Sequence, residues 1–412
     1  MKGLLVGVIA LAWAFPALSQ NPVQMPQGTG KAVVEAKCTV CHDLERVARR
    51  DGNTPEGWQM ILNNMVTLGA QVTPDEVKVV HQYLSSNFPD TAPKPVLVAG
   101  PIEVNIREWD VPTTGSRPHD PLVARDGTIW YAGINASVLG HFDPKTERFG
   151  EYKLKAKTGP HGLIDDAQGN IWFTGQHGHY MGMLDPKTGF VTEHKLSHPD
   201  ARSPHTPIIA PNGDVFFTTS GNNMLGKIDA KTGQMTMVKQ GPNPYGIRLN
   251  SKGIPFVTLH GTNKLASIDP QTMKVTEYTL PPAGARPRRL AITPDDVVWY
   301  GDYARGYLGS YDPKTAKFKE WPSPSGERSL IYGITQVDGI IWYNESGVRP
   351  NTIVRFDPAT EKFQSWAIPS GGGVVRHMMP DKDGNIWLAE SGVNKIGVVE
   401  VKSGTNQRSS LR

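Results

Sequence analysis

The chain has 412 residues, 38% of them hydrophobic and 20% charged, and a formal net charge of +4. That length supports two domains with sizeable cores. The charge is mild and no basic run is interleaved with aromatics, which argues against a nucleic-acid surface; no apolar stretch reaches the roughly 20 residues of a membrane span.

At the N-terminus, Lys2 precedes an apolar run from Leu4 to Phe15, followed by Pro16 and the small-residue site Ala17-Leu18-Ser19. This pattern predicts a cleavable signal peptide over residues 1–19, cut before Gln20. The mature protein is expected to be soluble and periplasmic, or secreted. An oxidising compartment favours disulfides, yet the chain holds 2 cysteines and both fall in one motif.

That motif is Cys38-Thr39-Val40-Cys41-His42. Two thiols one helical turn apart can form thioethers to the two vinyl groups of a porphyrin, and the next residue offers an imidazole to the iron. The spacing predicts one covalent haem c on Cys38 and Cys41, with His42 as an axial ligand. The plainer readings are a disulfide, a zinc half-site or incidental thiols. Zinc lacks its second ligand pair here, and a redox dithiol does not require His42.

Residues 20–90 read as a small all-helical domain. A short helix over Gly30 to Lys37 leads into the motif. Thr54-Pro55-Glu56 opens a second helix with a capping residue and a first-turn proline. Thr73-Pro74-Asp75-Glu76 opens a third as a capping box, and Val77, Val80 and Leu84 form its apolar face. Among candidates for the second axial ligand, Met65 shares a helical face with Trp58, Ile61 and Leu68, whereas Met60 aligns with Asn64 and Thr67. Met65 is the expected ligand, with His81 or an open position as alternatives; its plainer role is core packing. From Gly28 to Phe88 the unit resembles a short class I cytochrome c domain, a resemblance resting mainly on the attachment motif.

Residues 91–100, TAPKPVLVAG, form a proline-bearing linker with no periodic pattern, expected to be flexible. Beyond it the sequence repeats. LGHFDPKTERFGEYKL, MGMLDPKTGFVTEHKL, LGKIDAKTGQMTMVKQ, LASIDPQTMKVTEYTL, LGSYDPKTAKFKEWPS and IVRFDPATEKFQSWAI begin at Leu139, Met181, Leu225, Leu265, Leu308 and Ile353. A period of about 40 to 45 residues is that of a propeller blade. Seven aromatic markers, Trp130, Trp172, Phe216, Phe256, Trp299, Trp342 and Trp387, predict seven blades. The last repeat stops without an outer strand, while Val104 to Pro112 reads as an orphan outer strand able to close the ring. The fold class is thus a small all-α class I cytochrome c domain followed by an all-β seven-bladed propeller over 101–402, with a tail at 403–412.

The repeat, with its PHG or PYGI start, DGxIWF-like strand and NKIGxIDPxT-like return, resembles the streptogramin B lyases, also called virginiamycin B lyases, over residues 101–402. The resemblance implies a catalytic histidine at the start of the last blade, which is His377 here. It also implies glutamates where this chain has Val375 and Ser391, with Glu390 one position short, and a histidine where it has Tyr332. In the family these groups hold a magnesium ion and a general base for proton removal.

One residue near the start of each inner strand should ring a mouth of the central channel: His119, His161, His205, Tyr245, Arg288, Tyr332 and His377. Arg117, Arg202, Arg286, Arg328 and Arg376 lie close by in sequence. The mouth is therefore expected to be basic and to suit a small anionic or carbonyl-bearing ligand, with Glu390 as a further pocket residue; four histidines could instead hold a metal. The plainer reading is a polar lining bonded to water and carbonyls. The Asp-Pro-x-Thr sequences, and His177, His179 and His260, read as turn residues. Two functions follow. One is a periplasmic monohaem electron-transfer protein whose propeller binds a substrate or a redox partner such as a dehydrogenase. The other is a magnesium-assisted C–O lyase acting on cyclic depsipeptides or related esters.

Overall fold

Helix starts in the N-terminal unit are set by the residues that cap them. The computed structural model describes residues 24–44, 47 and 52–402; the expected signal peptide over 1–19 and the 403–412 tail lie outside the described residues. Helix α1 (Lys31–Cys38) follows Gly30, which adopts φ 105°. A Cβ on Gly30 would lie 2.7 Å from the Tyr83 Cβ, so only glycine lets α1 approach that side chain. Helix α2 (Pro55–Thr67) starts where Thr54 Oγ1 accepts the Gly57 amide. Helix α3 (Pro74–Asn87) starts in a full capping box, the Glu76 amide donating to Thr73 Oγ1 and the Thr73 amide to the Glu76 carboxylate.

The three helices bury Val34, Trp58, Leu62, Val80, Tyr83 and Leu84 together. The buried face of α2 differs from the expected stripe: Trp58 and Leu62 point inward while Leu68 is 54% exposed. The Trp58 indole donates to the Phe88 carbonyl at 2.8 Å, and that bond fixes how α2 is turned. Met65 is left half-buried and outside the core cluster. No described helix is long and apolar enough to cross a membrane.

Seven four-stranded antiparallel sheets follow, as the seven markers predict. Blades 1 to 6 span residues 118–153, 160–195, 204–239, 244–279, 287–322 and 331–367, and blade 7 spans 375–402. Strand β1 (Glu103–Asp110) supplies the outer strand of blade 7, in register from Glu103 opposite Lys402 to Asp110 opposite Lys395. The N-terminal strand thereby closes the ring and removes an exposed edge. Inner strands of successive blades touch all the way round, that of blade 7 meeting those of blades 6 and 1.

The second strand of each blade is buried throughout or nearly so, as Ile171–Gly175 is, while outer strands are mostly exposed or half-buried, as Arg148–Lys153 is. Markers stack on outer-strand aromatics, Trp130 on Tyr152 and Trp299 on Trp321, with centroids 5.6 and 5.5 Å apart. Five blades place a glycine in the third strand, and in four of them, at Gly140, Gly182, Gly226 and Gly309, an aromatic ring of the second strand fills the space: a Cβ on Gly182 would sit 2.1 Å from the Phe173 ring. The repeated aspartates cap turns, Asp143 accepting from the Lys145 amide and the Thr146 hydroxyl.

The 91–100 segment is not a free tether. The Val98 amide donates to Ser365 Oγ and Val98 O accepts the Ser365 amide, both at 2.9 Å; the Val96 amide reaches Ser325 Oγ at 3.1 Å. Ser365 of blade 6 and Ser325 in the loop before that blade thus substitute for the periodic pattern that the segment lacks.

Candidate functional site

Each inner strand carries a bulge near its start, for example between Pro118 and Pro121 in blade 1 and between Val375 and His377 in blade 7. The bulge brings two successive residues of a strand toward the channel. Register defines the ring. Pro118 opposes Gly133 and Val375 opposes Glu390, each three residues past its marker tryptophan. The residue of blade 7 equivalent to His119 is therefore Arg376, and His377 lies one step deeper, level with Asp120. This corrects the expected ring at its seventh position. Only blade 6 has a shorter spacing, because Asp338-Gly339 makes a two-residue turn between Val337 and Ile340.

Around the mouth the side chains touch. The rings of His119 and His161 lie 3.7 Å apart by centroid, His161 and His205 3.9 Å, and His205 and Tyr245 4.0 Å. The Tyr245 and Tyr332 hydroxyls meet at 2.6 Å. Arg288 stacks over Tyr332 at 3.7 Å and Tyr303 at 4.2 Å, and Arg376 donates to Tyr332 Oη at 3.3 Å. Burial, then neighbouring cations and imidazoles, hold His119, His161 and His205 far below the usual histidine range, so they are neutral. Burial pushes the Tyr332 phenol up, but Arg288, Arg376 and Arg289 outweigh it and draw the group below the usual phenol range.

Beneath the ring lies a second tier. Asp120 Oδ1 accepts from His119 Nδ1 at 2.8 Å and from Arg289 at 2.7 Å, and burial still raises its carboxyl to about 6. His377 Nε2 accepts from Arg248 at 2.7 Å. Arg248 and Arg289 escaped the sequence reading; Arg248 is the one charged residue of its inner strand and Arg289 follows the ring residue Arg288, and each partner stands across the channel. His119, Asp120 and His161 bring ligand-type atoms within 4.8 Å of one another. Arg289 already takes the carboxylate, so a cation there would meet a fixed positive charge.

The expected lyase constellation is not assembled. Glu390 is fully buried, but its carboxylate accepts from Ser370 Oγ and lies beside Glu108, away from the ring, and burial raises its carboxyl far above the usual range. Val375 carries no ligand atom, and Ser391 Oγ donates to the Pro118 carbonyl. No carboxylate accompanies His377 among its described contacts. These residues do not fit a magnesium ion. Glu345 and Asp302, at the same blade position as Glu390, likewise serve loops: Glu345 accepts from Ser323, Ser325 and Thr352, and Asp302 from the Arg286 and Ala304 amides.

In the helical unit, Cys38 ends α1 half-buried and Cys41 is exposed, and neither is in a disulfide. Burial raises the Cys38 thiol above its usual range. His42 Nδ1 lies 2.9 Å from the Asp43 carbonyl, which makes Nδ1 the donor and leaves the lone pair on Nε2. Val40, Val66 and Leu68 are 78%, 46% and 54% exposed, an unusual apolar display for so small a unit. Free thiols with an uncovered Val40 between them in sequence fit a bonded planar apolar group. His81 is committed elsewhere, its Nε2 lying 2.8 Å from the Pro55 carbonyl.

The unit sits on the mouth face. Loops before the inner strands and after the second strands share this face and bond one another, as Gln176 N does to Gly159 O at 3.0 Å. Thr67 Oγ1 at the end of α2 reaches Thr114 O at 3.3 Å in the loop before blade 1. Arg349, in the blade 6 loop, donates to Asp90 at 2.5 Å and to Gly52 O at 3.3 Å.

Seven blades with a repeated Asp-centred turn around a polar mouth define a seven-bladed propeller built from one repeated unit. Residues 147–409 match the family model of the virginiamycin B lyases, and the chain belongs to that family. Residues 28–93 match a second model, described as quinohemoprotein amine dehydrogenase A, alpha subunit, haem binding. A streptogramin B lyase structure superposes with a TM-score of 0.66 at 24% identity, covering 73% of this chain and 98% of that one. Virginiamycin B lyase from Staphylococcus aureus gives 0.66 at 22%, covering 72% and 99%. Kuenenia stuttgartiensis hydrazine synthase gives 0.60 at 13%, covering 69% and 96%. At these identities the likeness establishes the fold alone. A comparison with curated proteins gives no match.

Proposed function

We propose that the protein is a periplasmic monohaem c-type electron-transfer protein in which a lyase-type propeller has become the platform for a substrate or a redox partner such as a dehydrogenase. The observation that carries the reading is the pair of unbridged thiols, Cys38 and Cys41, at the end of α1 and next to His42. The match of residues 28–93 to a haem-binding family model supports it, and so does the expected export signal over residues 1–19. Cys38 and Cys41 would hold the porphyrin, and His42, through Nε2, and Met65 on α2 would be ligands of its iron. When bound, such a haem supplies one-electron transfer. The chain's own contribution is placement: Thr67 and Arg349 fix the helical unit on the face where the ring of polar side chains opens.

The lyase reading keeps one supporting observation, membership of a lyase family with His377 retained in the last blade. Against it, His377 is bonded to a guanidinium and has no carboxylate partner, while proton removal needs an available base.

The test is the reduced-minus-oxidised visible spectrum of the full chain, matured in a periplasm that assembles c-type cytochromes and incubated with periplasmic dehydrogenases and their substrates. The expected result is haem reduction dependent on one of them, with Met65→Ala altering the reduced spectrum. A haem that none of them reduces contradicts the electron-transfer reading, and an unaltered Met65→Ala spectrum contradicts the ligand assignment.

A further inference from the structure

The inner strands of the seven blades carry four arginines, Arg248, Arg288, Arg289 and Arg376, against two aspartates, Asp120 and Asp165. Asp165 ends its strand and serves the Arg125 loop, accepting that residue's amide at 2.9 Å. Asp120 is spent on Arg289. Among the described residues, Arg248, Arg288 and Arg376 therefore have no carboxylate in ion-pair contact, Asp120 acting on Arg248 and Arg376 only at longer range, although all three are at least partly buried. Positive charge removed from water without a counter-charge is costly, and a bound anion is the simplest compensation.

The mouth is where such an anion would arrive. Arg289 is only 1% exposed, whereas Arg288 and Arg376 retain partial exposure at the ring. The Arg288 and Arg376 Nε atoms have no acceptor in the protein. Arg288 is held in place by aromatic faces and by one bond to Tyr245 Oη at 3.1 Å, so most of its donor fork is unspent. Tyr245, Tyr303 and Tyr332 supply flat walls beside it.

We propose that Arg288 and Arg376, with the Tyr245–Tyr332 hydroxyl pair, bind a small organic carboxylate in the mouth of the channel. Two planar guanidiniums match a planar carboxylate better than a point charge would, and tyrosine faces favour a flat organic body over a fully hydrated ion. The site rests on the propeller alone and does not depend on a haem being attached. A carboxylate there would offset the cations Arg288, Arg376 and Arg289 that face Tyr332, and would raise the Tyr332 phenol, with Tyr245 and Tyr303 as its other titratable neighbours.

Calorimetric titration of the full chain with benzoate, and separately with inorganic phosphate, tests the proposal. Benzoate is expected to bind, Arg288→Gln and Arg376→Gln each to weaken binding at least tenfold, and benzoate to diminish the tyrosinate absorbance of the wild-type protein at neutral pH. If Arg288→Gln fails to fold, Arg376→Gln and the tyrosinate signal decide. No binding of benzoate, binding that both variants leave unchanged, or arginine-dependent binding of phosphate in place of benzoate overturns the assignment.

Discussion

His377 Nε2 and Arg248 Nη2 lie 2.7 Å apart across the channel, joining blade 7 to blade 4. The guanidinium donates to the ring nitrogen that a proton-abstracting base would need. Burial and the cations Arg289 and Arg248 hold His377 neutral, but its lone pair is already in use. Incubation with a cyclic depsipeptide should give no ring opening above the blank, and His377→Ala should be indistinguishable from wild type. Measurable turnover that His377→Ala abolishes would restore the lyase reading.

Acid should destabilise the propeller. His119, His161, His205 and His377 are held well below 6.5 in the folded chain, so the unfolded chain binds more protons as pH falls through 6.5. Stability is present above that value and is lost below it, at up to about 1.4 kcal/mol per pH unit for each histidine. Asp120 and Glu390 act in the opposite sense, because the folded value of each exceeds its ordinary one, so the folded chain binds their protons first. The four histidines, joined by His260, which burial lowers to about 4, outweigh these two acids. Denaturant melts should show a midpoint that falls steeply from about pH 7 to about pH 5, with a shallower fall in His161→Gln; a flat profile contradicts the neutral-histidine ring.

The repeat, the caps of α2 and α3 and the closing role of β1 were legible because each depends on local spacing. Lone residues were legible only where register was unambiguous. Counting back from Trp387 admitted His377 to the ring because a ten-residue spacing holds in blade 6, where the Asp338-Gly339 turn is tight; blade 7 has the longer turn, which puts Arg376 there. The Asp120–Arg289 and Arg248–His377 pairs span 169 and 129 residues and exist only because the ring closes. Glu390 looked like a pocket acid because its side chain's direction, toward Ser370 and Glu108, is set by a neighbouring loop.

The helical unit should loosen when Arg349 is truncated. Arg349→Ala removes the bonds to Asp90 and the Gly52 carbonyl, a charge-assisted contact in a partly buried place worth about 1.5–3 kcal/mol. Limited proteolysis should cut the 91–100 segment faster while the propeller melts at nearly its wild-type temperature. Unchanged cleavage would show that the Val98–Ser365 pairing holds the segment unaided.

Blade packing should fail where the third strand touches the second. Gly182→Ala places a methyl 2.1 Å from the Phe173 ring, which is wholly buried and cannot retreat. A loss of about 1–3 kcal/mol is expected from overpacking, read from denaturant melts. Gly169→Ala is the wrong control despite open space around it, since its φ is 83° and the strain would be conformational. Gly241→Ala, with nothing near its Cβ and no positive φ, should melt as wild type does.

The most direct test is the intact mass of the full chain, expressed in a periplasm that assembles c-type cytochromes and measured after denaturation. One haem retained covalently, and lost in Cys38→Ser/Cys41→Ser, is the expected result. An unmodified chain with two alkylatable thiols would contradict the central claim.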